Sequence, residues 1–283
     1  MKRLALIAAW GLAAASAHAG GIVAVLSGDT APYKQALEGL KAAAGPVDSA
    51  VLPALPNLAG ASVIVTFGGE AALKKYPASA ALVAALLPDP KLKPQHGGAL
   101  TRVALLPDAA VLLGKIKALN PGVSSLAAFD VGGAYTDYLA GMKTAGGGIG
   151  IAVSVKRIDS LADLAGKLPA MNGTVQALWL PPDPLVMNQA TFKLLSTFCS
   201  SAKIALVAPI AALAKAGAFA GISPSFNDVG KAAGKAALGY SGGSSPGDLV
   251  YPSHVETVLN TSVAALIGVN AASAKSKADS VVP

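Results

Sequence analysis

The sequence predicts an α/β protein in which two lobes each hold a parallel β-sheet flanked by helices. Three observations predict this class. Short apolar runs, typical of strands buried on both faces, alternate with segments of helical periodicity. The alternation restarts after residue 107, which indicates a second unit of the same kind. Hydrophobic residues make up 53% of the 283-residue chain and charged residues 13%, which excludes disorder as the general state.

The first residues have the pattern of a secretory signal peptide. Lys2 and Arg3 precede an apolar stretch over residues 4–15, and Ala17-His18-Ala19 matches an A-x-A cleavage site. The stretch is too short for a membrane span, and no cysteine that could carry a lipid follows the site. We therefore expect residues 1–19 to be removed after Ala19, and the mature chain to enter the periplasm without a stable membrane anchor.

The first series of elements begins with the apolar run 21–27, which predicts a strand. The helical pattern after it, residues 31–45, has a proline suited to its first turn and a glycine suited to its end. A second strand is predicted over 61–69, a short helix from Glu70 to Tyr76, and a third strand over 80–90. Residues 91–107 are expected to form a connection.

The second series starts with a helix from Asp108 to Leu119 whose N-cap is the aspartate. Apolar runs with the character of buried strands follow at 124–133, 150–158, 175–180, 203–209 and 218–223. Helical patterns lie between them at Tyr135–Thr144, Asp159–Leu168, Leu185–Ser200 and Ala211–Ala216. Strands and helices that alternate in this way predict a parallel sheet.

Charge and cysteine content exclude several classes of function. The formal charge of +7 falls by two, to +5, when Lys2 and Arg3 leave with the signal peptide. The positive charges are dispersed, and no arginine-rich run or aromatic platform indicates nucleic-acid binding. Cys199, the one cysteine, lies on a helical pattern and is expected to be a buried, inert thiol rather than a nucleophile.

Polar turns recur where the predicted strands end. Asp183 and Asp89 each lie between two prolines after an apolar run, Asp130 follows a third run, and Ser27 and Asp29 follow the first. Open parallel sheets bind ligands at the carboxyl ends of their strands, so these side chains are candidates for one cleft. The alternative for Asp183 is that it only caps the helix that follows.

Eight segments in order carry a resemblance to a known family. They are IVAVLSGDTAPYKQALEGLK, VIVTFGGEAA, LLPDP, LNPGVSSLAAFD, VQALWLPPDPLV, KIALVAP, GAFAGISPSFNDVGKAAGKAALGYSGG and LNTSVAALIGV. The chain resembles the ABC-transporter substrate-binding proteins associated with tryptophan and tyrosine uptake, which have the type I periplasmic-binding-protein fold. The resemblance implies a monomer that binds a small molecule between two closing lobes and delivers it to a permease and its ATPase.

The resemblance also implies lobe boundaries and crossing segments. Residues 20–103 plus 222–247 would form the first lobe, and residues 104–221 plus 248–283 the second. The segment GAFAGISPSFNDVGKAA resembles the return crossing to the first lobe, and residues 241–248 resemble a further crossing or its adjoining loop.

The resemblance implies ligand contacts at matching positions. Tyr33 matches an aromatic residue after the first strand, and Gly68, Gly69 and Glu70 match a loop whose amides can hold an anion. Position 69 more often carries a hydroxyl group in the family, so a side-chain donor is lost in this chain.

In the remaining turns, Asp89 and Asp183 match acids of the family, whereas Asp130 and Tyr135 match more loosely. Tyr33 and Tyr135 are equally explained as aromatics that pack on their own helices, and Trp179 is expected in the core.

An enzyme and a sensor are the two alternative classes of function. The sequence lacks a cluster of zinc ligands, a G-x-S-x-G elbow and nucleotide-binding motifs, so we expect no metal, cofactor or catalytic residue. A hydrolase would require a carboxylate pair such as Asp89 and Asp183 across the cleft. The third class is a ligand-binding sensor or interaction protein, because one fold can serve several functions.

Overall fold

The computed structural model of the chain describes residues 21–283. The expected signal peptide and its cleavage site lie outside the described residues. The strands, in chain order, are β1 (Ile22–Leu26), β2 (Asp48–Val51), β3 (Val63–Phe67), β4 (Ala81–Ala85), β5 (Leu100–Val103), β6 (Ser125–Val131), β7 (Ala152–Ile158), β8 (Ala177–Trp179), β9 (Ala205–Ala208), β10 (Ala220–Ser223), β11 (Leu249–Val250), β12 (Glu256–Asn260) and β13 (Ser280–Val282).

Helices connect most of these strands. In chain order they are α1 (Ala31–Ala44), α2 (Gly69–Ala72), α3 (Ala109–Leu119), α4 (Thr136–Gly148), α5 (Leu161–Lys167), α6 (Pro184–Met187), α7 (Gln189–Ser201), α8 (Phe226–Ser241), α9 (Thr261–Leu266) and α10 (Ala271–Lys275). Short 3₁₀ helices lie at Pro169–Met171 and Ala211–Ala214.

The strands form two sheets, one in each lobe. The first sheet has the order β2-β1-β3-β4-β5-β11, and all its pairings are parallel. The second has the order β7-β6-β8-β9-β10-β12-β13, in which only β10 and β12 pair antiparallel. The predicted α/β class with two mostly parallel sheets is confirmed.

The chain passes between the two sheets three times. The connections are residues 104–108, 224–225 and 251–255, between β5 and α3, between β10 and α8, and between β11 and β12. Two of these positions differ from the expected boundaries at 222 and 248. The ladder of β10 continues through Ser223 in the second sheet, and β11 pairs with β5 in the first. A two-residue strand such as β11 has no periodicity that could have marked it.

Both faces of the second sheet are covered, which explains its uninterrupted apolar runs. Along β6, Leu126 and Ala128 belong to the cluster that packs on α3 and α4, whereas Ala127 and Phe129 belong to the cluster that packs on α5 and α7. Trp179 is fully buried, as the sequence predicted, and lies 5.5 Å from Tyr138 between ring centroids.

The return helix α8 packs closely against α1 on the first sheet. A Cβ atom on Gly230 would collide with the carbonyl oxygen of Ala36, and one on Gly39 with that of Asn227. The backbones can approach this closely only because glycine has no side chain. The segment 224–225 therefore ends in a helix that belongs structurally to the first lobe.

Several elements differ from the sequence-based prediction. The expected helix Leu185–Ser200 is two helices, because Asn188 has an extended backbone and its side-chain oxygen accepts a 3.0 Å hydrogen bond from the amide of Thr191. The strands β2 and β5 were not predicted: β2 is an edge strand with two exposed residues, and β5 carries the polar pair Thr101 and Arg102. Within residues 21–283, no helix is long and apolar enough to cross a membrane.

Candidate functional site

The candidate site lies where the strands of both sheets end. The loops after β1, β3 and β4 belong to the first lobe, and those after β6, β7 and β8 to the second. The two sets of loops meet: a Cβ atom placed on Gly133, after β6, would lie 3.7 Å from the Nζ of Lys91, after β4. Loops at the carboxyl edges of the two sheets thus approach each other, and the carboxyl edge is the usual ligand position in parallel sheets.

Three expected residues of the first lobe converge at Gly68. Its backbone has φ 98°, a conformation open to glycine alone among common residues. A Cβ atom there would lie 2.5 Å from Ser27 Oγ and 2.6 Å from the hydroxyl of Tyr33. Ser27 Oγ also accepts a 2.8 Å hydrogen bond from the amide of Ala71, so it anchors the start of α2. The sequence predicted these three residues, and the structure places them together.

Gly69 and Asp89 lie beside this group. A Cβ atom on Gly69 would lie 3.2 Å from Pro88 Cδ, which brings the loop after β4 against the start of α2. Asp89 is exposed, and its Oδ1 accepts a 2.7 Å hydrogen bond from the amide of Lys91. One carboxylate oxygen of Asp89 therefore shapes the turn.

Asp29 and Glu70, which were expected to contact a ligand, each pair with a nearby lysine. Asp29 forms a 2.8 Å ion pair with Lys34, and Glu70 forms a 3.8 Å ion pair with Lys74. Both acid side chains are about two-thirds exposed, at 67% and 64%. Exposed pairs of this kind contribute little to stability, and both fit a solvated helix surface.

Tyr135 links the loops after β6 and β8 of the second lobe. The residue is the N-cap of α4 and is buried, and its hydroxyl donates a 3.4 Å hydrogen bond to the carbonyl oxygen of Pro182. Burial, with the negative charges of Asp183 and then Asp89 adding to it, raises the pKa of Tyr135 to about 12. One phenol from the second lobe thus lies in the field of carboxylates from both lobes.

Asp183 is the N-cap of α6. Its Oδ1 accepts a 2.8 Å hydrogen bond from the amide of Leu185, and its backbone is extended, as a cap requires. The capping role that the sequence left open is therefore present. It occupies one carboxylate oxygen, and the charge of the group acts on Tyr135 at the cleft.

Asp130 is a largely enclosed acid near the end of β6. Its side chain is 13% exposed, and its Oδ1 is buried without a hydrogen-bond partner among the described residues. Its Oδ2 lies 3.7 Å from Arg157 Nη1. A buried oxygen without a donor is costly, so a donor that reached Asp130 Oδ1 would be stabilising.

Arg157 and Lys91 are cleft residues that the sequence analysis missed. Arg157 lies near the end of β7, and its Nε donates a 2.7 Å hydrogen bond to Asp159. A Cβ atom on Gly133 would lie 3.6 Å from Arg157 Nη1 as well as 3.7 Å from Lys91 Nζ. Their positions in the chain could have indicated them. Lys91 lies two residues after Asp89, in the loop after β4, and Arg157 lies near the end of β7 opposite Asp130 of β6.

A separate polar cluster joins two of the connections between the lobes. Asp228 is buried and accepts hydrogen bonds from Ser225 at 2.5 Å, from His254 at 3.0 Å and from Lys231 at 3.4 Å. Burial disfavours the charged form, but the bonds from Ser225 and His254, together with the charge of His254 and the bond from Lys231, outweigh it and lower the pKa of Asp228. These residues line a cavity of about 450 Å³.

Metal ligands and the one cysteine can be located among the described residues. No group of three or more His, Cys, Asp or Glu side chains in residues 21–283 could hold a metal ion. Cys199 is buried, as the sequence predicted, and burial raises the pKa of its thiol to about 12, so the reactive thiolate is disfavoured.

Comparison with known proteins extends the description of the fold. No protein-family model matches the chain, and no curated protein matches it in sequence. Solved structures do match. An ABC domain in complex with L-Trp from Streptococcus pneumoniae has a TM-score of 0.57 at 18% identity, covering 92% of this chain and 99% of that one.

Two further structures show how widely the fold is shared. The ligand-free, open form of a substrate-binding protein with adhesive properties from Clostridium difficile has a TM-score of 0.64 at 14% identity, covering 89% of this chain and 95% of that one. A LacI family transcriptional regulator from Bifidobacterium animalis has a TM-score of 0.51 at 14% identity, covering 83% and 95%. The chain thus has the two-lobed fold of the type I periplasmic binding proteins, as expected.

Proposed function

We propose that this protein binds a small, amino-acid-like organic solute between its lobes and delivers it to an ABC importer. The observation that carries the proposal is the meeting of polar groups from the carboxyl edges of both sheets. A Cβ atom on Gly133, after β6 in the second lobe, would lie 3.7 Å from Lys91 Nζ, after β4 in the first. Binding between the lobes would couple occupancy to their closure, which a transporter can recognise.

The cleft supplies complementary groups for a solute of this kind. Asp130 offers a buried acceptor without a partner, and Asp183 and Asp89 keep an oxygen beyond those used in their turns. On the first-lobe side, Tyr33 and Ser27 converge on the bare backbone of Gly68. We assign Gly69 and Tyr135 to the same site, and Asp29 and Glu70 to its rim.

A thermal-shift screen of the mature protein tests the proposal. Amino acids, nucleosides, peptides and small organic acids are the panel, and a compound present at 100 times its Kd stabilises the folded protein by about 2.7 kcal/mol. We expect amino-acid-like compounds to raise the melting temperature. A panel without a single stabilising compound would contradict the proposal.

Transport further requires export and a partner. Mass spectrometry of envelope-fraction protein should find Gly20 at the N-terminus, since we propose a periplasmic monomer cleaved after Ala19. Cytosolic protein that retains Met1 would contradict this location. Uptake of the bound solute in vesicles that contain a permease and its ATPase would establish the importer role.

A ligand-binding sensor is the second candidate, because a LacI family regulator shares the fold. Binding without uptake, together with a ligand-dependent complex with a signalling protein, would favour this alternative. An envelope hydrolase is the third: it would consume the bound compound, and loss of that turnover in Asp89→Asn would identify the carboxylate pair.

A further inference from the structure

Two cations from opposite lobes meet at the cleft. A Cβ atom on Gly133 would be 3.6 Å from Arg157 Nη1 and 3.7 Å from Lys91 Nζ, so both nitrogens lie close to one point. Lys91 belongs to the loop after β4 in the first lobe, whereas Arg157 belongs to β7 in the second. Like charges repel, and an anion placed between them would remove that repulsion.

The side chain of Lys91 is available for such an anion. It forms no ion pair with any acid in residues 21–283, although Lys34, Lys74 and Lys231 all do. Arg157 contacts Asp159 through Nε and approaches Asp130 through Nη1 at 3.7 Å. Because a guanidinium carries five N–H donors, Arg157 retains donors beyond these contacts.

The backbone at Gly132 and Gly133 keeps this space open. Both residues have positive φ, 61° and 72°, so the turn after Val131 is left-handed and carries no side chain. An anion that reaches this point would accept charge-assisted hydrogen bonds from Arg157 and Lys91, which are stronger than bonds between neutral groups. A side chain at Gly133 would occupy the same space.

Asp130 requires a hydrogen-bond donor from a molecule bound beside the two cations. Its Oδ2 lies 3.7 Å from Arg157 Nη1, while its Oδ1 is buried without a partner. A hydrogen-bond donor next to the anionic group of a bound molecule, such as an ammonium or hydroxyl, would satisfy that oxygen.

We infer that Lys91 and Arg157 hold the carboxylate of the bound solute between the lobes, with Asp130 accepting from the donor beside it. This assignment rests on the proposed function, since it concerns the same cleft. It makes Lys91 and Arg157 determinants of specificity: the solute is a 2-amino or 2-hydroxy acid, and its neutral amide is rejected. Because each cation comes from a different lobe, the carboxylate also draws the lobes together.

Paired probes test this inference. Free 2-amino and 2-hydroxy acids are compared by thermal shift with their carboxamides, and inorganic phosphate forms a separate arm. We expect a free acid to stabilise the protein and its amide to have a far smaller effect. Phosphate binding without acid binding, or an amide that binds as tightly as its acid, would overturn the inference while leaving a ligand-binding protein.

Variants then locate the contact. For the acid with the largest shift, Lys91→Met and Arg157→Met should each weaken binding in calorimetry by roughly tenfold or more, the scale of a charge-assisted hydrogen bond. Lys91→Arg should recover most of the loss. The matched control is Lys93→Met, which removes an exposed lysine from the same loop and should leave the Kd unchanged.

The two failures can be distinguished. If no probe of either kind binds, the proposed function fails and the inference with it. If acids bind but Lys91→Met keeps the wild-type Kd and an unchanged melting temperature, only the assignment of Lys91 and Arg157 is wrong.

Discussion

Replacement of Asp183 separates a structural role from a ligand contact. Asp183→Ala removes the 2.8 Å hydrogen bond to the amide of Leu185. Loss of an N-cap side chain costs about 1 kcal/mol. In a chain of this size, that loss lowers the melting temperature by roughly 2–4 °C. If the carboxylate also accepts from a cationic group of the solute, the free energy of binding weakens by ~1.5–3 kcal/mol, roughly 10- to 150-fold in Kd.

Asp183→Asn is the matched control, because asparagine caps a helix about as well as aspartate but carries no charge. We expect its melting temperature to stay near that of the wild type while its affinity, measured by calorimetric titration, falls. Wild-type affinity in both variants would show that Asp183 is a cap alone. An unchanged melting temperature in Asp183→Ala would refute the capping argument itself.

Two further predictions concern the first-lobe wall and the connections between the lobes. Gly68→Ala should lower the free energy of unfolding, measured in urea, by about 2 kcal/mol or more, because φ 98° is strained for alanine and its Cβ would lie 2.5 Å from Ser27 Oγ. The control, Gly69→Ala, should lower the free energy of unfolding much less. Equal losses in the two variants would contradict the argument. The lowered pKa of Asp228 means that its contribution to stability is present above about pH 4 and is lost as the pH falls through the folded-state value. Asp228→Asn should therefore reduce stability at pH 7 and differ less from the wild type at pH 3. The control Asp248→Asn, at an exposed position, should have little effect at either pH. If the stability difference between Asp228→Asn and the wild type were the same at both pH values, the assignment would be contradicted.

The sequence predicted the central strands, because their burial is visible as runs of apolar residues. The runs that became β1, β3 and β6 are mostly apolar because both faces of a central parallel strand are covered. The strands β2 and β11 lie at sheet edges and are partly exposed, so they show no such pattern. Elements fixed mainly by pairing with distant segments could not be predicted from local sequence.

Candidate site residues could be predicted from the sequence when their place in the chain, after an apolar run, was enough to locate them. Asp89, Asp130 and Asp183 were singled out because they follow apolar runs. Asp130 lies near the end of β6, and Asp89 and Asp183 lie in the loops after β4 and β8. Arg157 and Lys91 were missed because long side chains reach the cleft from positions that look like ordinary solvated charges. Whether an acid pairs with its own helix, as Asp29 does with Lys34, depends on rotamers that sequence does not reveal.

The measurement that tests the central claim most directly is small-angle scattering of the mature protein during titration with the solute that gives the largest thermal shift. A solute bound between the lobes contacts groups from both, so occupancy should favour the closed arrangement. We predict that the radius of gyration decreases as the solute is added and levels off at the stoichiometry found by calorimetry. A scattering curve that stays unchanged at saturation would contradict binding between closing lobes.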